Sequence, residues 1–565
     1  MMMKIMMTII IPISLSLMAS IMMKDITPVD TDNLILAKQG GAEVQLFISE
    51  QKPGTLRALA LWKSFFEDRG LKVRIISSSS KPAFSDSAAV MAFETEAVSP
   101  VASQAGVDIA GLKNTRQEAH LLVIKKWNNR PLVLVVGRTD KGTSAGADQL
   151  LSKVSWQEGT VSVAPMEKLR QPFLEGREAT IASTGRVFCH SRPELMKKIN
   201  YQYWSKEQLT RYVRYLRACG FNSIQLAECL KYAGGAKRDE VAPVLIAFAE
   251  AAHKEGLSVT QYIWGSADGF HWDDPKTNKQ RKERYIGLAQ TYARHVDHVV
   301  THWKDEGDEG GYVTPQVATV FLYEQYRKLN PNIKFTIDTW ANEEFWSGAG
   351  KPGFLDETYS PTDIGIALHR WYEPGRAALI KKASRRTGIW SWYISDYEMR
   401  YASHLESRIL DKYFSALPSD AGDMIDWISM ELCFHTLPSE INLYIAGQKM
   451  WEPKRSIKEI MLDYCRAVYG AANAEIMREV YETVDLGQKD YKRYGVFIPP
   501  SDRFPDVHKS TEFRSKARQS LAKLEKVRFP AGWKPNFAVV STPEDDVHSL
   551  RNSLEALVEG KYPEF

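Results

Sequence analysis

From about residue 177 to about residue 435 the chain repeats one pattern, a short apolar run followed by a longer amphipathic one. The apolar runs read as strands at Ala179 to Val187, Asn222 to Leu226, Ser258 to Trp264, His298 to Trp303, Lys334 to Thr339, Ile364 to Trp371, Gly388 to Ile394 and Ile425 to Leu432. Helical patterns lie between most of them. One runs from the candidate N-cap Ser205 to Cys219 and ends at Gly220, and others are Val241 to Lys254, Asn278 to His295 and Pro315 to Leu329. Strand–helix alternation implies right-handed crossovers and a parallel sheet. Eight such units in roughly 250 residues match a (β/α)8 barrel. A doubly wound sheet is the alternative, but it needs a reversal of strand order that the sequence does not display.

At 565 residues the chain exceeds what one core supports, so more than one domain is expected. Residues 30–170 read as a small α/β domain. It has strands at Val44 to Ile48, Val73 to Ile76, His120 to Ile124 and Leu132 to Val136, with a turn at Asn128 and Asn129 between the last two. A helix from Leu56 to Glu67 shows Leu59, Trp62, Phe65 and Phe66 on one face, and a second helix is expected to start near Ala147. The glycine-rich turn before it, Gly137-Arg-Thr-Asp-Lys-Gly-Thr-Ser-Ala-Gly146, fits neither the dinucleotide nor the P-loop pattern of phosphate binding. The barrel is expected over 177–437, and residues 438–565 read as a helical region, with amphipathic stretches at Ser456 to Tyr469, Ala472 to Val484 and Phe513 to Val527. At the start, Lys4 precedes an almost wholly apolar run from Ile5 to Ile21, with Ala19 and Ser20 as a small-residue cleavage site. Residues 1–20 therefore read as a secretory signal peptide, and a periplasmic or extracellular location is expected. No later run reaches the length of a membrane span.

Strand ends hold the residues suited to chemistry, because a barrel of this kind places its site at the C-terminal ends of its strands. The fourth strand leads into Thr301-His-Trp-Lys-Asp-Glu-Gly-Asp-Glu-Gly-Gly-Tyr312, where Asp305, Glu306, Asp308 and Glu309 crowd together. Crowded carboxylates raise one another's pKa, which keeps one protonated as an acid. A solvated acidic loop is the plainer reading, and the calcium-loop pattern is not met. Aromatic and polar residues recur at the other ends. They are Trp264 and His271 after the third strand, His302 and Trp303 at the fourth, Asp338 and Trp340 at the fifth, and His369, Arg370 and Trp371 at the sixth. The seventh contributes Trp390, Trp392, Asp396 and Glu398. Of the whole chain 11% is aromatic, with 15 Trp. One Trp at such a position is ordinary core, but a recurrence at several strand ends suits stacking on the apolar face of a sugar ring. Arg370 suits an acidic sugar's carboxylate or, equally, an ion pair with Glu373.

The layout resembles glycoside hydrolases of the α-glucuronidase and β-N-acetylhexosaminidase type. The resemblance rests on Gly137 to Gly146 as the end of an accessory α/β domain. It rests also on Tyr444-Ile-Ala-Gly-Gln-Lys-Met-Trp-Glu-Pro453 and Asp463-Tyr-Cys-Arg-Ala-Val-Tyr-Gly-Ala-Ala472 as the opening of a helical one. It implies that an Asp-Glu pair after the fourth strand supplies the general acid (the Glu) and a residue that orients an acetamido group (the Asp). Asp305-Glu306 and Asp308-Glu309 both match that pair, while the His-x-Gly-Gly pattern of family 20 is absent. A glucuronidase-like site would instead take its base from Asp338, Asp396 or Glu398.

Glycosidic cleavage needs a proton donor and a second group at the anomeric carbon, and this inventory supplies both. The expectation is hydrolysis of an O-glycosidic bond in a polysaccharide or glycan, with no metal and no organic cofactor. A net charge of +4 gives no electrostatic case for nucleic acid. Two alternatives stand beside it: an inactive sugar-binding protein on the same scaffold, and a metal-dependent barrel hydrolase using His271, His302 and His369. No two of those histidines share a close ligand spacing. The cysteines Cys189, Cys219, Cys229, Cys433 and Cys465 form no CxxC pair, and an odd count leaves a thiol unpaired within the chain.

Overall fold

The computed structural model describes residues 33–561 except 81, 86–87, 182–203, 230–237, 265–274, 303–312, 340–354, 356–360, 370–371, 395–404, 433–439, 488–506, 531, 538 and 540. Residues 34–170 build two sheets. In the larger, β2 (Val44–Ile48), β3 (Val73–Ser77), β4 (Val90–Thr95), β5 (His120–Trp127), β6 (Arg130–Gly137) and β9 (Met166–Arg170) lie in the order β3-β2-β4-β6-β5-β9. In that order β3, β2, β4 and β6 are parallel, β5 runs antiparallel to β6, and β9 at the edge runs antiparallel to β5. The β5–β6 hairpin turns through Asn128 and Asn129, both at positive φ (49° and 60°), as a two-residue turn between twisted strands requires. The smaller sheet joins β1 (Leu34–Lys38), β8 (Thr160–Val163) and β7 (Val154–Gln157), all antiparallel.

The helix Pro53–Glu67 buries the face expected of it, Leu59, Trp62, Phe65 and Phe66. The second expected helix departs from expectation. It spans Asp140–Leu150 rather than starting near Ala147, so the glycine-rich segment is helix from Asp140 onward and not a loop. Its glycines serve close packing. A Cβ on Gly142 would lie 2.4 Å from the Ala119 carbonyl oxygen, and one on Gly146 would lie 2.6 Å from a Val135 methyl. A phosphate cradle would need that backbone open, and here it is filled by protein.

A closed parallel barrel follows: β10 (Gly176–Ile181), β11 (Ser223–Cys229), β12 (Ser258–Trp264), β13 (His298–His302), β14 (Lys334–Asp338), β15 (Ile364–His369), β16 (Thr387–Ile394) and β17 (Trp427–Leu432). Pairing of β17 with β10, from Gly176 opposite Trp427 to Thr180 opposite Glu431, closes the ring and excludes the doubly wound alternative. The first strand begins at Gly176, not Ala179, and 182–187 of its expected range lie outside the described residues. The last begins at Trp427 rather than Ile425. Between strands lie helices that include Lys206–Cys219, Arg238–Lys254, Pro275–Tyr292 and Val313–Leu329. The first is bounded as its sequence dictates. Ser205 and Gln208 form a reciprocal capping box, and Gly220 at φ 105° closes the C-terminus.

The C-terminal region is helical: Glu440–Trp451, Ile457–Tyr469, Ala471–Gly487, Thr511–Leu524 and Pro543–Val558. The segment Tyr444–Trp451 thus lies in a helix that is buried along its whole length. It passes close beside Lys206–Cys219, where a Cβ on Gly447 would lie 2.3 Å from the Cys219 carbonyl oxygen. Trp451 Nε1 donates to the Gly220 carbonyl at 2.9 Å. Buried ion pairs join the α/β region to the barrel: Arg57 meets Glu255, Arg217 meets Asp148, and Arg177 meets Glu118. Among the described residues no helix is long and apolar enough to cross a membrane. Cys219 and Cys465 are buried and free, and burial pushes both thiols well above the usual range.

Candidate active site

Side chains two positions apart on a strand share a face, so each barrel strand sends alternate residues into the lumen. At the N-terminal end Trp427 reaches across to His298, with ring centroids 5.4 Å apart. Glycine at 388 makes room for it, because a Cβ there would lie 2.2 Å from the indole. Above this layer Tyr262 and Trp390 stack with centroids 4.8 Å apart and planes 9° from parallel. The top layer consists of His302, Asp338 and His369, at the C-terminal ends of β13, β14 and β15.

These three residues form one electrostatic unit. Asp338 is 1% exposed. Its Oδ2 lies 2.9 Å from His302 Nδ1, and its Oδ1 lies 3.4 Å from His369 Nδ1. Burial alone would raise the carboxyl's pKa, but the facing imidazoles of His369 and His302 outweigh burial and hold it well below the usual carboxylate range. A carboxylate so held is a weak base at neutral pH, and both its oxygens are engaged. What it can do is orient imidazoles and favour one tautomer, with Nδ1 carrying the hydrogen. Beneath, Trp390 packs against both rings, its centroid 5.3 Å from His369 and 6.1 Å from His302.

Of the residues expected at the site, His302, Asp338, His369 and Trp390 come together. Trp264 and Trp392 lie near the C-terminal ends of β12 and β16 by their backbone positions. Asp305, Glu306, Asp308, Glu309, His271, Trp303, Trp340, Arg370, Trp371, Asp396 and Glu398 lie outside the described residues. Glu373, considered as a partner for Arg370, meets Arg376 at 3.0 Å. Among the described residues no group of three His, Cys, Asp or Glu is placed to hold a metal.

Sequence reasoning missed Glu178 and Gln225, which lie buried in the lumen below Trp390. The signal was present. Both belong to a polar period-two alternation, through Glu178–Thr180 and Ser223–Gln225, that marks the inward positions of their strands.

No family model and no curated protein matches the chain. Solved structures do. The structure of CpGH84B aligns with a TM-score of 0.58 at 11% identity, over 94% of this chain and 89% of that one. The structure of CpGH84D aligns with a TM-score of 0.56 at 13% identity, over 95% and 87%. A GH138 enzyme targeting pectin rhamnogalacturonan II aligns with a TM-score of 0.55 at 12% identity, over 92% and 69%. Over nearly its whole length, then, this chain has the fold of these GH84 and GH138 proteins: a (β/α)8 barrel with an N-terminal α/β accessory region and a C-terminal helical region.

Proposed function

We propose that the protein is an exported glycoside hydrolase that cleaves an O-glycosidic bond of a polysaccharide or glycan fragment at the C-terminal mouth of the barrel. The observation that carries this reading is the His302–Asp338–His369 unit on three consecutive strands above the Trp390 ring. The shared fold supports it, as does the run Asp305 to Glu309, which follows His302 closely in sequence.

In this reading Glu306 or Glu309 is the general acid, and Asp305 or Asp308 orients the substrate or its acetamido group. Asp338 sets the imidazoles of His302 and His369, which bond sugar hydroxyls. The aromatic residues Trp264, Trp303, Trp340, Trp371 and Trp392 supply the apolar surface that a pyranose needs, and Trp390 supports the imidazoles from below. His271, Arg370, Asp396 and Glu398 complete the polar rim. The substrate is of the hexosaminidase or glucuronidase kind, and no metal or organic cofactor takes part.

The test is turnover. The chain from about residue 20 onward is incubated with aryl glycosides of N-acetylhexosamines and of uronic acids, and with pectic and chitinous fragments. Release of sugar that is lost in Glu306→Gln or Glu309→Gln supports the reading. Saturable sugar binding with no turnover by the wild type would show a binding protein instead.

A further inference from the structure

The lumen below the mouth is polar where a barrel of this kind is usually filled by branched aliphatics. Glu178 on β10 is 2% exposed. Its Oε1 accepts from Gln225 Nε2 at 2.8 Å, and its Oε2 accepts from Ser223 Oγ at 2.9 Å and from the Thr260 hydroxyl. Burial pushes this carboxyl's pKa up, with the hydroxyl and amide donors opposing. A buried acid and amide are costly compared with apolar residues of the same volume. Their placement therefore calls for a use beyond filling space.

The bonds define that use. With its Nε2 directed at Glu178, the Gln225 amide turns its Oε1 the other way. There it accepts from Trp390 Nε1 at 3.0 Å and from Thr180 Oγ1 at 3.1 Å. An indole has a single N–H donor, so one such bond, together with stacking on Tyr262, fixes the rotation of the ring. That ring supports His369 and His302, and through them the geometry around Asp338.

We infer that Gln225, oriented by Glu178, is a positioning residue for the mouth: acting through Trp390, it sets the tilt of the two imidazoles that face Asp338. Its effect on turnover rests on the glycosidase reading above.

The experiment compares Gln225→Glu with the exchanged pair Glu178→Gln/Gln225→Glu. The single variant keeps the shape but sets two carboxyl groups against each other. The exchanged pair restores one donor and one acceptor between the positions, and leaves an acceptor for Trp390. Two signals are read. One is the near-ultraviolet circular dichroism band of the stacked Tyr262–Trp390 pair, identified with Trp390→Phe. The other is kcat and KM on the aryl glycoside that the wild type turns over. Gln225→Glu is expected to alter the band and lower kcat by about 10- to 100-fold with KM within about threefold, the scale of a small misplacement of reacting groups. The exchanged pair is expected to recover both. If the single variant does not fold, Gln225→Met, which keeps the volume and removes the amide, is read in the same way. An unchanged band in the folded variant overturns the positioning role whether or not the protein turns over a glycoside, whereas an altered band in a protein whose wild type turns over no glycoside removes only the glycosidase reading. An altered band with wild-type kcat overturns the link to catalysis, as does an exchanged pair that folds but stays as slow as the single variant.

Discussion

Asp338 Oδ2 lies 2.9 Å from His302 Nδ1, across adjacent parallel strands at the mouth of the barrel. The two residues are 36 positions apart in sequence. The barrel brings them together because each is the last residue of its strand and both point into the lumen. Asp338, one of three residues that the sequence offered as a base, thus faces two imidazoles, those of His302 and His369. Replacing Asp338 with Asn keeps its size and removes its charge. On the proposed function, kcat should fall by roughly 10²-fold with KM little changed, because the substrate still binds while the imidazoles lose their fixed orientation. Steady-state kinetics beside a far-ultraviolet circular dichroism spectrum would check this. A fully active Asp338→Asn would remove Asp338 from the site.

The general acid gives a different signature. Gln in place of Glu306 or Glu309 retains size but cannot donate a proton. One of the two variants should lose about 10²–10⁴-fold on a glycoside with a poor leaving group, and much less on an activated aryl glycoside. Glu306 is the first choice, since it follows the strand more closely. Kinetics on both leaving-group classes would separate the two positions, and full activity of both variants would move the acid elsewhere.

Gly142→Ala should destabilise the α/β region. Its new Cβ would meet the Ala119 carbonyl oxygen at 2.4 Å, and backbone cannot swing aside as a flexible side chain does. Overpacking of this kind costs about 1–3 kcal/mol. Gly375, in the helix Pro374–Lys382, has nothing within 4 Å of such a Cβ and serves as the control. Thermal or denaturant unfolding of the two variants should show a loss for the first and no loss for the second.

Stability should carry a pH dependence traceable to Asp546. Burial pushes its carboxyl up to about 7, although the hydroxyls of Tyr469 and Ser541 donate to it at 2.7 and 2.8 Å. An unfolded Asp titrates near about 3.9. Between those values the folded chain holds a proton that the unfolded chain has lost, so stability falls as pH rises through that window and levels off above it. Asp546→Asn lacks this dependence. Its Tm relative to the wild type should therefore rise by a few degrees between about pH 5 and about pH 8.5, reflecting roughly 2–3 kcal/mol. A Tm difference that stays constant across this range would show that Asp546 titrates normally.

Export is checked at the N-terminus. The run from Lys4 to Ser20 has signal-peptide character, so secreted material should begin near residue 20. N-terminal sequencing that found an intact Met1 on a soluble cytosolic product would refute this.

The sequence by itself determined the architecture, because a period is a local property. Apolar runs such as His298–His302 and Lys334–Asp338, alternating with helices closed by glycines such as Gly220 and Gly256, specify strands and crossovers without reference to anything distant. It also marked His302, Asp338 and His369, because a barrel gathers the C-terminal ends of its strands at one mouth, and Trp390 through the recurrence of aromatic residues in these strands. Only the tertiary structure decided what these residues do to one another. Whether Asp338 serves as a base or as an anchor depends on which groups face it across the barrel, and that follows from strand register. The same holds for the segment Gly137 to Gly146. Its glycines suggested a loop from composition, yet Gly142 and Gly146 lie in a helix, where they pack against Ala119 and Val135 of the adjoining sheet region. Glu178 and Gln225 make the point most sharply. Each is an ordinary polar residue within its own strand, and only closure of the barrel sets the amide between the buried acid and the Trp390 ring.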